Sequence, residues 1–163
     1  MSSLDLQRQI AVLADQLERL RKADAGTVTG TFTPTLKGNV TPGTFTYSTQ
    51  AGFYTRIGNR CLFNLSVSAT AVPVAPTGSA IIDGLPFTSS ATSNSHSPIV
   101  LDTIAALTLT ATIMMLTARV PPSTTFIELI EVTGTAPTGA GGLLATGMGA
   151  GVFIRASGHY IIG

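Results

Sequence analysis

Residues 44–69 read Thr-Phe-Thr-Tyr-Ser-Thr-Gln-Ala-Gly-Phe-Tyr-Thr-Arg-Ile-Gly-Asn-Arg-Cys-Leu-Phe-Asn-Leu-Ser-Val-Ser-Ala. Two runs rich in β-branched and aromatic residues flank Gly58-Asn59, a dipeptide that tolerates the positive φ of a tight hairpin turn. After the turn, apolar and polar residues alternate with period two. The apolar face holds Phe63, Leu65, Val67 and Ala69, and the polar face holds Asn64, Ser66 and Ser68. The pattern predicts a long antiparallel hairpin at the centre of a β domain.

The same stretch resembles a recurrent segment of tailed-bacteriophage fibre and tailspike proteins. The resemblance is carried by Tyr47, Ser48, Gln50, Gly52, Tyr54, Thr55, Ile57, Gly58 and Asn59. In that group a Gly-x-Phe/Trp-x-Pro-x-Leu run precedes the segment and a Gly-Leu-Pro-Phe run follows it. The corresponding residues here are Gly30, Phe32, Pro34 and Leu36, and then Gly84, Leu85, Pro86 and Phe87.

The resemblance covers Gly30 to about Ser89 and extends weakly to residues 156–160, which look like the closing strand pair of the group. It implies a trimeric β-sandwich module on a virion, and it implies no reaction.

Composition limits the classes of function. The 163 residues are enough for one domain with a small appendage, and only 10% of them are charged, with a formal net charge of +1. A nucleic-acid groove needs clustered Lys and Arg, so none is expected. The mean hydropathy is +0.40, yet no run of about 18 apolar residues occurs, and no membrane insertion is predicted. This hydrophobicity suggests burial at subunit contacts as well as in a core.

The single cysteine, Cys61, excludes an intrachain disulfide and is predicted to be a small buried side chain on a strand. A nucleophilic or redox role would need a nearby base, and the sequence names none. The start Met-Ser-Ser-Leu-Asp lacks the basic residues and apolar core of a signal peptide, which predicts synthesis and assembly in a cytoplasm.

Residues 1–24 differ from the rest of the chain and hold 8 of its 17 charged residues. Their apolar residues recur at spacings of 4, 3, 4 and 3, as in a coiled-coil seam. The seam consists of Leu6, Ile10, Leu13, Leu17 and Leu20. Ser3 can cap the helix and Gly26 can end it. The helix is predicted to self-associate; the alternatives are packing on its own domain and docking on a different virion protein.

From residue 25 onward the chain predicts an antiparallel β-sandwich or jelly roll, because many short strands are separated by turn signals. The expected strands are residues 30–36, 44–48, 51–57, 61–70, 79–83, 99–101, 107–120, 125–133, 151–156 and 159–162. Gly158 is read as a turn between the last two.

The expected strand from Leu107 to Val120 is apolar on one face throughout and on both faces from Met114. Two explanations are open: a neighbouring subunit covers the second face, or a bulge shifts the phase of the strand.

Two stretches read as long loops, residues 88–98 and 134–151. The second holds seven glycines, but no Gly-Lys-Ser/Thr sequence follows, so a phosphate-binding loop is not expected. In the first, Asn94, Ser95 and His96 offer donors and acceptors for sugar hydroxyl groups, and this loop is the candidate receptor contact.

No cofactor, metal or catalytic site is predicted, and the chain is expected not to be an enzyme. His96 and His159 are not at metal-ligand spacing, although symmetry-related copies could converge on an ion at a trimer axis. A glycan hydrolase needs two facing acids, and the β domain holds only Asp83, Asp102, Glu128 and Glu131. Asp83 beside Gly84 reads as a turn residue.

These observations predict a homotrimeric phage virion protein, a short tail fibre or tailspike that attaches to a host-surface glycan or protein. Its helix would also contact another virion protein. The alternatives are a capsid head fibre or decoration protein and, from another class, a stand-alone carbohydrate-binding lectin.

Overall fold

A computed structural model describes residues 3–24, 26–92, 95–109, 113–133 and 140–163. The chain begins with one helix, α1 (Ser3–Asp24), and is mainly β after it. The strands are β1 (Thr27–Phe32), β2 (Thr35–Gly38), β3 (Thr44–Ile57), β4 (Arg60–Val74), β5 (Ala80–Asp83), β6 (Ser97–Leu107), β7 (Ile113–Val120), β8 (Phe126–Thr133), β9 (Ala140–Gly142) and β10 (Met148–Ile161). A short 3₁₀ helix, Ala145–Gly147, precedes β10.

The described strands form one antiparallel sheet with the order β1-β3-β4-β10-β6-β7-β8-β5-β2, and β9 pairs with β8. β1 and β2 lie at opposite ends of this order, yet only Thr33 and Pro34 separate them in the chain. The two ends of the sheet must therefore lie close together, so the sheet curls back on itself. Pro34 suits this crossing because it has no N–H to donate to a strand ladder.

The prediction of a mainly β, antiparallel domain after an N-terminal helix is confirmed. Separate sandwich or jelly-roll layers are not confirmed, because the described strands share one continuous sheet. The expected strand 30–36 is wrong, since the chain leaves one end of the sheet at Phe32 and enters the other at Thr35.

The central hairpin is confirmed. β3 and β4 pair antiparallel up to Ile57 and Arg60, and Gly58 adopts φ 60° in the two-residue turn. Asn59 has no positive φ, which matches a type II′ turn with glycine first. The expected strands 44–48 and 51–57 are one strand. Its register irregularities lie between Thr44 and Thr49, whereas pairing with β4 is regular across residues 49–51, where the break was predicted.

The concave side of the sheet encloses the hydrophobic core. All four residues of the predicted apolar face of β4 are buried, with Val67 and Ala69 fully inaccessible. They pack with residues from four other strands: Leu36, Ile82, Ile127, Leu129, Ile154 and Tyr160. Burial of each large apolar side chain contributes about 1.5–3 kcal/mol, so this cluster drives the curling of the sheet.

The expected single strand 107–120 is wrong. Leu107 ends β6, and Ile113 begins β7, which pairs antiparallel with both β6 and β8. Within β7 the register shifts between Ile113 and Met115, as the bulge explanation requires. Met114 and Met115 are exposed in the single chain, so burial of both faces is not observed.

The C-terminal region differs from its prediction in two ways. Residues 148–161 form one strand, and Gly158 lies inside it instead of in a turn. Its missing side chain is explained by packing, because a Cβ atom there would lie 2.5 Å from Ile99 Cδ1. The expected loop 134–151 contains β9 and the 3₁₀ helix, and residues 134–139 lie outside the described part.

α1 leaves its apolar seam uncovered. Every described side chain from Leu4 to Arg19 is exposed, including Leu6, Ile10, Leu13 and Leu17. The side chain of Leu20 lies outside the described part. The helix therefore does not bury its seam on its own domain.

Candidate functional site

Four of the residues that carry the fibre and tailspike resemblance close the curled sheet. Tyr47 on β3 reaches β2 at the opposite end: its hydroxyl accepts a hydrogen bond from Leu36 N–H (2.8 Å) and donates to Leu36 C=O (3.3 Å). Gln50 Nε2 donates to the carbonyl of Pro34 (3.0 Å). These side chains replace the backbone ladder that β2 and β3 lack. Burial raises the pKa of Tyr47.

Tyr160 on β10 makes an equivalent contact with the Gly-Leu-Pro-Phe run. Its hydroxyl accepts from Phe87 N–H (3.2 Å) and donates to Phe87 C=O (2.9 Å). The Phe87 ring packs edge-on against Tyr54 at 5.2 Å, and the Arg56 guanidinium lies over it at 5.3 Å. This run is therefore anchored to the core.

Two glycines of the motif lie beneath aromatic rings. Gly30 pairs with Tyr54, and Gly52 pairs with Phe32, between β1 and β3. A Cβ atom on Gly30 would lie 2.7 Å from the Tyr54 ring, and one on Gly52 would lie 2.6 Å from the Phe32 ring. Each ring thus covers the backbone of the opposite glycine.

Cys61 is fully buried beside Tyr160, as the small-side-chain interpretation predicts. Burial raises the pKa of the Cys61 thiol. Burial and the neighbouring thiol also raise the pKa of Tyr160. Both groups are therefore neutral at physiological pH, and the thiol lacks the activation that a nucleophile needs.

The acids of the β domain are held in different ways. Asp83 pairs with Lys37 Nζ (2.6 Å) and accepts from Gly84 N–H (2.8 Å), where Gly84 turns at φ 100°. Asp83 is the last residue of β5 and pairs with Thr35 and Phe126, so its interpretation as a turn residue is wrong. Burial alone would raise the pKa of Asp83, but the hydrogen bonds from Lys37 and Gly84 lower it overall. Glu128 pairs with Arg119 (2.9 Å), Glu131 is buried and Asp102 is exposed.

The candidate receptor loop is only partly free. Ser95 Oγ donates to the carbonyl of Ser90 (3.2 Å), so its hydroxyl is already hydrogen-bonded within the loop. The buried Ser89 fixes the same segment by donating to Pro121 C=O (2.6 Å). His96 is exposed, and Asn94 lies outside the described residues.

His159 is exposed on β10. In the described part of the chain, no cluster of three or more His, Cys, Asp and Glu residues could hold a metal ion. No helix among the described residues is long and apolar enough to cross a membrane.

The convex side of the central hairpin carries a site that the sequence reasoning missed. A shallow depression of about 490 Å³, here called the outer groove, crosses β3, β4 and β10. It is lined by Phe53, Tyr54, Thr55, Leu62, Phe63, Asn64, Ser157 and Gly158. A smaller depression of about 190 Å³ lies beside it and adds Ala51, Ser66 and Arg155.

A signal for this site is present in the sequence. Phe53 and Tyr54 are adjacent on a strand, so their rings must point to opposite faces of the sheet. Tyr54 packs against the core, and Phe53 is left 60% exposed. Two adjacent aromatic residues on this strand therefore place one ring on the solvent-facing side of the sheet.

Comparison with known proteins gives a fold relationship. No family model and no curated protein matches the sequence. Among solved structures, the fold is similar to part of the Dettilon tailspike protein, with a TM-score of 0.66 and 24% sequence identity. The match covers 83% of this chain and 24% of that tailspike, so the chain spans about a quarter of its length.

Proposed function

We propose that this chain is a homotrimeric attachment protein of a tailed-bacteriophage virion, a short tail fibre or tailspike. The observation that carries the proposal is the fold shared with part of the Dettilon tailspike protein. The motif residues support it, because Tyr47 and Gln50 close the curled sheet through hydrogen bonds to Leu36 and Pro34, which also belong to the motif. In this proposal the two halves of the sheet face each other as the layers of a sandwich.

α1 supplies the trimer contact in this proposal. Its uncovered apolar residues recur at heptad spacing, and exposure of such a seam is unfavourable in water. About two and a half heptads are too short to be stable alone, so the β domain has to associate as well. Such a helix would form a coiled coil that points toward another virion protein.

The host contact lies on the β domain, where loops project from a rigid scaffold. In the loop formed by residues 89–97, His96 is exposed and Asn94 is the second candidate. Replacing both by Ala should reduce adsorption to host cells while the oligomer stays intact. Unchanged adsorption by an assembled variant would exclude this loop as the receptor contact.

The experiment that tests the proposal combines mass and location. Light scattering on the purified full-length chain should give about three times its 16.7 kDa mass. Labelling the chain on assembled particles should place it on the tail. A stable monomer or dimer at micromolar concentration would contradict the trimer, and a label on the head would favour a head fibre or decoration protein.

A further inference from the structure

Phe53 presents an aromatic ring to solvent on the convex face, on the strand next to β1. The ring contacts no other aromatic residue of the described chain, and it separates the outer groove from the smaller depression. An exposed aromatic ring beside a depression offers a large apolar surface for recognition. Its flat face suits the C–H face of a sugar ring, which stacks on aromatic side chains.

Polar groups with free hydrogen-bonding capacity flank the ring. Phe53 pairs with Asn64, and Asn64 pairs with Ser157, so the three side chains form one row across β3, β4 and β10. Neither the Asn64 amide nor the Ser157 hydroxyl hydrogen-bonds to another described residue. The amide offers donors and an acceptor, and the hydroxyl offers both, which matches the hydroxyl groups of a saccharide.

Arg155 adds a positive charge to this face. Its guanidinium lies 5.2 Å from the Phe153 ring centre, and it forms no ion pair within the described chain. No acidic side chain lines either depression. Asp102 lies in the β6 bulge opposite Arg155 but forms no ion pair with it. A planar guanidinium without an ion pair is suited to bind a carboxylate through two parallel hydrogen bonds.

We propose that the outer groove and the adjoining Arg155 bind a saccharide unit that carries a carboxylate. Phe53 stacks on the sugar ring, Asn64 and Ser157 bind its hydroxyl groups, and Arg155 binds the carboxylate. This inference rests on the proposed attachment function and names a ligand class for it. It adds a saccharide contact on the sheet face to the candidate contact on the loop around His96.

The test uses the full-length chain and acidic oligosaccharides that contain glucuronate, galacturonate or sialate, each beside its carboxyl-reduced counterpart. Isothermal titration calorimetry should detect binding of at least one acidic member, with its reduced counterpart about tenfold weaker. Phe53→Ala should weaken both members of that pair about tenfold. Arg155→Gln should abolish only the preference for the acidic one.

Matched controls lie on the same hairpin outside the groove. Ile57→Ala removes an exposed apolar side chain of β3, and Arg60→Gln removes an exposed positive charge of β4; neither should change the affinity. Circular dichroism should show that all four variants fold, because each changes an exposed side chain.

Three outcomes would overturn the inference: no binding of any acidic oligosaccharide, equal binding by Phe53→Ala, or protection of Phe53 from hydroxyl radicals in the free oligomer. Protection would mean that a second copy of the chain covers this face. A chain that is trimeric and adsorbs to host cells, yet shows one of these outcomes, retains the proposed function and loses only this site.

Discussion

Tyr47 and Tyr160 make the same kind of hydrogen-bonded contact at two places in the β domain. Each places its hydroxyl between the N–H and C=O of a single residue, Leu36 or Phe87, on a segment that its own strand does not pair with. A phenol can do this because it donates and accepts at once. The two side chains therefore hold together segments distant in sequence, and they explain why tyrosine stands at these positions.

Removing one of these hydroxyls should lower stability. Tyr47→Phe leaves the partly buried amide and carbonyl of Leu36 without a partner, and we expect a loss of about 1–2 kcal/mol in the free energy of unfolding. Urea unfolding followed by circular dichroism measures it. Tyr54→Phe is the matched control, because the Tyr54 hydroxyl hydrogen-bonds to no described residue. Equal stability of Tyr47→Phe and the native chain would show that the bridge contributes nothing.

Asp83 should make stability depend on pH. Its folded-state pKa is lowered, so its contribution is present above the unfolded pKa and is lost as the pH falls through the folded value. Asp83→Asn should cost about 1 kcal/mol at pH 7, where the ion pair with Lys37 exists. The difference from the native chain should shrink in acid, once the native carboxyl is protonated as well.

Thermal unfolding at pH 7 and at acidic pH measures this difference. Asp102→Asn is the control, since Asp102 is exposed and forms no ion pair within the described residues. A destabilisation by Asp83→Asn that is the same at both pH values would contradict the assignment to the ionised carboxylate.

At the scale of elements, α1 and the sheet differ in how their apolar faces are covered. The sheet buries its apolar face by curling, whereas an isolated helix has no concave side and cannot cover its own seam. Leu6, Ile10, Leu13 and Leu17 are all more than half exposed in the single chain. A partner helix that packs against this seam would cover it, as in a coiled coil.

A charge in this seam should therefore disrupt assembly. Leu13→Asp would bury three unpaired carboxylates in one layer of a trimer, at a cost of several kcal/mol. Light scattering should then show a shift toward the 16.7 kDa monomer. Val12→Asp is the control, because Val12 is similarly exposed but lies one position off the seam. An unchanged mass for Leu13→Asp would exclude the seam as the oligomer contact.

At the scale of the whole molecule, we propose that the chain binds without catalysis. Two of its acids, Asp83 and Glu128, are each engaged by a basic side chain on a neighbouring strand. Incubation with host surface polysaccharide should release no reducing ends. Release that disappears in Asp83→Asn or Asp102→Asn would show that the chain is a hydrolase.

The sequence was least informative about where strands begin and end. It extended β7 back to Leu107 because the apolar pattern runs through residues 107–120, and it divided β10 at Gly158 because glycine commonly marks a turn. Both errors have the same cause: the local pattern reports exposure and flexibility, whereas pairing partners decide whether a strand continues. Gly158 stays in its strand because it pairs with Phe63 of β4 and with Ile99 of β6.

The sequence by itself determined the helix, the central hairpin and the buried face of β4, because these follow from periodicities and turn residues within a few positions of one another. Only the tertiary structure decided how the sheet closes and where the outer groove lies. Closure joins Tyr47 to Leu36 and Tyr160 to Phe87, and the groove joins Phe53 to Ser157. Such contacts depend on strand order. The strand order is determined by residues far apart in the chain, which bury a shared core together.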